Sequence, residues 1–193
     1  VLSTSFGDGT TASDTLTVDN PPTLEAITIQ TVAEDASDFN ITLSAEDVDN
    51  DIISYSVTSS DTSIANVAIV DGKIVVSPVE NANGLIIVEV NATANGQTVT
   101  QNFELNITAT NDSPVLSIGT GTININEGTL TRISLDNNIS DVDVNQTLTI
   151  TPTSNDPTIA TVQMDNNVLV IEPQPSKSGS FSIALVVSDG AAS

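Results

Sequence analysis

Four acidic side chains fall within six positions of this chain, at Glu46, Asp47, Asp49 and Asp51. Farther along, Asp141-Val142-Asp143 repeats the Asp-x-Asp spacing of Asp47-Val48-Asp49. On an extended segment, residues two apart project to the same side, because side chains alternate with period two. Paired carboxylates of that kind suit a hard cation. Calcium takes about six to eight oxygen ligands from carboxylates, amides and backbone, so a site gathers several short acidic motifs. A solvated turn is the alternative for any one motif taken alone. The helix-flanked calcium loop does not fit, since it needs Gly at the sixth place of the acidic run and Glu at the twelfth. Those places hold Ile52 and Thr58 in the first run, and Gln146 and Pro152 in the second.

Other chemistries find little support. The chain has no His and no Cys, so a Ser or Thr nucleophile has neither a His nor a Cys partner, and the redox compartment cannot be read from disulfides. Lysine activation would fall to Lys73 or Lys177, both in hairpin or loop contexts. Two carboxylates can in principle hydrolyse a glycoside. However, the only aromatics are Phe6, Phe39, Tyr55, Phe103 and Phe181, most of them at alternating core-like positions, so no sugar platform accompanies the acids. The chain therefore reads as non-enzymatic. A formal charge of −22, with only Lys73, Arg132 and Lys177 as cations, argues against nucleic acid or an anionic membrane as partner. No stretch approaches the roughly 18 apolar residues of a membrane-crossing helix, so no membrane insertion is expected. Asn-x-Ser/Thr sequons, among them those at Asn40, Asn91, Asn106, Asn138 and Asn145, are mostly expected by coincidence in a chain rich in Asn, Ser and Thr.

The elements that must position the acids repeat. Residues 110–118 (TNDSPVLSI) answer 19–27 (DNPPTLEAI), Glu127 answers Glu34, Asp141-Val142-Asp143 answers Asp47-Val48-Asp49, and 159–173 answer 64–78. The offsets run from 92 (114 − 22, for the prolines) to 95 (159 − 64), which gives one unit of about 90 residues occurring at least twice. Within it, alternating or short apolar runs fall near 24–32, 39–45, 52–58, 64–70, 73–77, 85–93 and 97–108. The Asp71-Gly72 and Asn95-Gly96 pairs between them are strong tight-hairpin signals. Many Val, Ile and Thr with few aromatics favour slim β-branched cores. The expectation is an all-β chain of tandem seven-stranded Greek-key immunoglobulin-like sandwiches in an elongated row. Residues 1–19 read as the C-terminal hairpin of a preceding repeat, 20–111 as a complete repeat, and 112–193 as a second repeat lacking its last strand. The chain opens on Val1, so the sequence reads as an excerpt of a longer polypeptide.

The tandem units, the Asn-Asp-Ser-Pro linker at 111–114, Glu34-Asp35, the two Asp-Val-Asp motifs and Ser188-Asp189-Gly190 resemble the cadherin-like repeats of large bacterial surface adhesins. The resemblance covers the whole chain through short motifs. It implies an extracellular, cell-surface location, calcium as cofactor, and neighbouring repeats of the parent chain as partners. It also implies calcium shared at repeat junctions. The implied ligands at the better junction are Glu34, Asp35, Glu80, Asn111, Asp112, Asp141, Asp143 and Asp189. A junction poorer in ligands would use Asp19, Asn20, Asp47 and Asp49, with Asn95 where the late Asp belongs. Glu127 and Asp136 would face a further junction. The implied function is a calcium-stiffened segment acting in adhesion or as a spacer beneath an adhesive tip. A polysaccharide-binding module and a homophilic interaction module are the alternatives.

Overall fold

The computed structural model describes residues 2–5, 11–14, 18–119 and 121–191. Its regular structure is all β, in two compact units spanning Val1–Thr110 and Asn111–Ser193.

In the first unit, β1 (Leu2–Ser5) and β2 (Thr11–Asp14) form an antiparallel pair. Val1 and residues 6–10 and 15–17 of the expected hairpin lie outside the described residues. The rest of the unit comprises β3 (Thr23–Leu24), β4 (Gln30–Ala33), β5 (Phe39–Thr42), β6 (Ala45–Glu46), β7 (Ser54–Ser59), β8 (Ala65–Val70), β9 (Lys73–Pro78), β10 (Gly84–Ala94) and β11 (Gln97–Thr108). One sheet runs β4-β11-β10-β7, the other β5-β9-β8, and β3 pairs with β6. Period-two alternation sends Ile86, Val88, Val90, Ala92 and Ala94 of β10 inward, with Phe103, Leu105 and Ile107 of β11. From the facing sheet, Ile41, Ile74 and Val76 complete the buried cluster. Each fully buried aliphatic side chain of this kind contributes about 1.5–3 kcal/mol.

Both tight turns form where the Asp-Gly and Asn-Gly pairs stand. Val70 pairs with Lys73 across Asp71 (φ 50°) and Gly72 (φ 72°), and Ala94 pairs with Gln97 across Asn95 (φ 43°) and Gly96 (φ 82°). Two positive φ values mark the mirror-image turn that matches strand twist. The structure departs from the expected first strand, 24–32, by splitting it. Leu24 joins β6, while Gln30–Ala33 runs parallel to β11 in the other sheet. One extended run thus serves two sheets, which a hydrophobic pattern does not encode.

The second unit comprises β12 (Val115–Leu116), β13 (Thr131–Ser134), β14 (Ile139–Ser140), β15 (Thr149–Ser154), β16 (Ala160–Asp165), β17 (Val168–Pro173) and β18 (Ile183–Ser188). It pairs as β12-β14, β13-β17-β16 and β15-β18. Leu135, Ala160, Leu169 and Ile171 form its buried cluster, with Phe181, Ile183 and Leu185 packed against it half-buried.

Candidate functional site

Strand pairing places the acidic motifs in three sets, two in the first unit and one in the second. In the first unit, Thr23 of β3 lies opposite Glu46 of β6. That pairing draws the segment before β3, Asp19-Asn20, beside the segment after β6, Asp47-Val48-Asp49. The Asn20 backbone N and Nδ2 both donate to Asp49 Oδ2, at 2.8 and 3.0 Å. Asp47-Val48-Asp49 is not extended, contrary to the alternation argument. Asp47 caps a tight turn, its Oδ1 accepting the Asp49 and Asp51 backbone N–H groups at 2.9 and 3.1 Å, and Asn50 takes a φ of 63°. An Asp side chain that mimics a backbone turn is a common way to fold such a segment. The carboxylates still converge, through the turn rather than through the pleat.

The β10–β11 hairpin brings Asn95 and Gln97 to the same set. Gln97 Nε2 donates to Asp19 Oδ2 at 2.5 Å, and this bond, with a second from the Asn95 side chain, holds the Asp19 carboxyl below its ordinary pKa. Asp51 moves the opposite way. Its hydrogen bond to the Asp19 carboxylate comes first, then burial, then repulsion from Asp19, Asp47 and Asp49, all raising its pKa. The amide donors thus hold the Asp19 carboxyl down while its neighbours push Asp51 up, as crowding of like charges does. Asp51 and Gln97 join the set beyond the ligands expected from the sequence. For Asp51 a signal was present, since it continues the two-residue spacing of Asp47 and Asp49; nothing in the sequence marked Gln97.

The second set sits at the far end of β4. Parallel pairing of Ala33 with Thr108 continues as Glu34 N donating to Thr108 O at 2.9 Å, which seats the Glu34 side chain against the end of β11. Glu34 is only 3% exposed. One carboxylate oxygen accepts the Thr110 N–H and the other accepts Asn83 Nδ2, both at 2.9 Å. Asp35 Oδ1 accepts the Asn81 N–H at 2.9 Å, so both acids abut the loop that carries Glu80, itself exposed. No cationic side chain joins them: Arg132–Asp165 is the only ion pair among the described residues.

In the second unit the pairing of Val115 with Ser140 repeats the first arrangement, setting Asn111-Asp112 beside Asp141-Val142-Asp143. Asp112 N donates to Asp143 Oδ2 at 2.7 Å, and Asp143 N donates to Asp141 Oδ1 at 2.9 Å. Asn111 Nδ2 reaches Asp189 Oδ2 at 2.8 Å, and Gln146 Nε2 donates to Asn111 Oδ1 at 2.9 Å. All five expected residues of this unit therefore meet, with Gln146 added.

Among the described residues, no three His, Cys, Asp or Glu side chains make a metal-holding group by themselves. The sets mix carboxylates with amide oxygens, and several of the acids are turned onto backbone N–H groups. Two oxygens stand apart from that pattern. Asp47 Oδ2 and Asp141 Oδ2 are buried and accept no hydrogen bond. They belong to the same position of the two repeats. A buried carboxylate oxygen without a donor is costly, and a cation is what such an atom fits.

No family model and no curated protein matches the chain. Solved structures do. The chain is similar to human protocadherin-24 EC1-2, at 17% identity and a TM-score of 0.53, over 88% of this chain and 87% of that one. It is also similar to protocadherin gamma B2 extracellular cadherin domains 3–6, at 16% identity and a TM-score of 0.53, over 87% of this chain and 43% of that one. The fold is that of cadherin-type, immunoglobulin-like β-sandwiches.

Proposed function

We propose that the chain is a non-catalytic, calcium-binding segment of an extracellular adhesin, and that its acidic sets take up calcium to stiffen successive repeats. The observation that carries this reading is the donorless, buried oxygen of Asp47 and of Asp141, at one position of two separate units. The near-complete burial of Glu34 without a cationic partner supports it. Asp19, Asn20, Asp47 and Asp49, joined by Asp51, would hold one group of ions. Glu34, Asp35 and Glu80, and Asn111, Asp112, Asp141, Asp143 and Asp189, supply the remaining ligands.

Bound calcium supplies positive charge to oxygens that otherwise repel one another. The chain's own part is preorganisation: β3–β6 and β12–β14 fix the two strands that carry the acids, and the turns at Asp47 and Asp141 aim the carboxylates. At free calcium of about ten times the dissociation constant, each site would add on the order of 1.4 kcal/mol to stability. Placement at a bacterial cell surface, as spacer or as adhesive segment, belongs to the same proposal.

Polysaccharide binding through aromatic stacking is less well supported. Phe39, Tyr55 and Phe103 pack in the core of the first unit and Phe181 in that of the second, so no described aromatic offers an open face.

Calorimetric titration with calcium tests the proposal. The wild-type chain is expected to bind calcium, D47N/D49N to lose the sites of the first set, and D141N/D143N those of the second. Equal heats in wild type and in both double variants would overturn it.

A further inference from the structure

The chain contains two Asn-Gly pairs, Asn83-Gly84 and Asn95-Gly96, and the structure treats them differently. Asn83 holds its side-chain amide on Glu34 Oε2 at 2.9 Å, and Gly84 is already the first residue of β10, paired with Ile107. A side chain added at Gly84 would meet Ile64 Cδ1 at 2.9 Å, so the backbone there is closely packed. Asn95 and Gly96 instead occupy the exposed tip of the β10–β11 hairpin, and nothing lies within 4 Å of the position a Gly96 Cβ would take. In a two-residue turn the hydrogen bond runs from the fourth residue to the first, so the Gly96 N–H is not committed to it. A glycine amide beside an asparagine side chain, free of steric cover, is the arrangement in which the backbone nitrogen can attack the side-chain carbonyl.

We propose that Asn95 is a deamidation site whose conversion adds a carboxylate to the Asp19, Asp47, Asp49 and Asp51 set. The Gly96 nitrogen bonds to Asn95 Cγ and loses its proton, and the side-chain nitrogen leaves as ammonia. Water then opens the resulting succinimide to give aspartate or isoaspartate. No oxidant or enzyme is needed. Gln97, which closes the same turn, donates to the Asp19 carboxylate, so the new charge arises at the turn that meets that ligand. The second unit shows what the aspartate product resembles: at the corresponding position it carries Asp189-Gly190, and Asp189 Oδ2 accepts a hydrogen bond from Asn111 in the equivalent acidic set. The modification makes the first unit's set more like the second's, slowly and after folding. The chemical step stands on the turn alone, whereas its consequence for calcium rests on the function proposed above.

Incubation of the purified chain at mildly alkaline pH for days to weeks, followed by peptide mass mapping, reads the first part. The amide-to-acid mass gain is expected at Asn95 well before Asn83; no gain at Asn95, or equal rates at the two, overturns the assignment. The Asn95→Asp variant reads the second part. It is expected to melt lower than wild type in chelator, where its carboxylate faces Asp19, and to bind calcium several-fold tighter. Unchanged or weaker calcium binding by that variant, while wild type binds calcium, overturns the link to the acidic set. Absence of calcium binding in both proteins would count against the proposed function itself and leave the mapping result intact.

Discussion

At the scale of single residues, two kinds of aspartate do opposite work. Asp61 and Asp156, at matching positions of the two units, each accept the N–H and hydroxyl of the residue two places on. For Asp61 the donors are Ser63 N at 2.9 Å and Oγ at 2.6 Å; for Asp156 they are Thr158 N at 3.0 Å and Oγ1 at 2.6 Å. Those bonds favour the ionised form and depress both pKa values, the side-chain donor being the largest cause in each case. A depressed folded-state pKa means that stability is present above the unfolded value and is lost as pH falls through the folded one. Acid titration of the folded chain should therefore show a loss below the ordinary aspartate range that is shallower in Asp61→Asn and Asp156→Asn, measured by thermal melts from neutral pH downward. Asp51 belongs to the other kind: a hydrogen bond to Asp19, then burial, then the charges of Asp19, Asp47 and Asp49 raise its pKa. Asp51→Asn should melt higher than wild type in chelator and gain less from calcium, since the same change relieves repulsion and removes a ligand. A lower melt in chelator would mean that the hydrogen bond to Asp19 outweighs the repulsion.

At the scale of elements, two glycines, Gly84 at the start of β10 and Gly179 ahead of β18, make the most direct packing prediction. Gly84 and Gly179 stand 95 residues apart (179 − 84), with φ of 150° and 155°, and a Cβ at either would lie 2.9 or 2.8 Å from the δ-methyl of Ile64 or Ile159. Gly84→Ala and Gly179→Ala should each destabilise by about 1–3 kcal/mol through combined strain and overpacking, read by denaturant unfolding. Most strands were legible in the sequence because the apolar residues of β7 to β11 alternate and the intervening Asp-Gly and Asn-Gly pairs admit one tight turn. The division of the first strand between sheets was not legible, because it depends on which neighbours β3 and β4 find. For the same reason the acidic motifs were legible as residues but not as geometry. The Asp47 turn is a local choice between side-chain and backbone acceptors, and Gln97 enters the set only because the β10–β11 hairpin carries it there.

At the scale of the whole molecule, the controlling facts are two cores and one sign of charge. The core of the first unit draws on both of its larger sheets, with Ile74, Val76, Val88, Val90, Leu105 and Ile107 all under 2% exposed, whereas that of the second has fewer buried members. Leu105→Ala should cost about 2–5 kcal/mol, and calorimetry should show the loss in one transition while leaving the other in place. Twenty-five acidic residues against three basic ones make the chain repel itself, so monovalent salt should raise stability in chelator by screening. Screening is nonspecific, and that separates it from ligation. The most direct test of the account is thermal unfolding in chelator, in millimolar calcium and in equal magnesium, for wild type and for D47N/D49N and D141N/D143N. Calcium should raise the midpoint well beyond magnesium, and less so in each double variant; a calcium midpoint equal to the magnesium one would contradict calcium ligation by these acids.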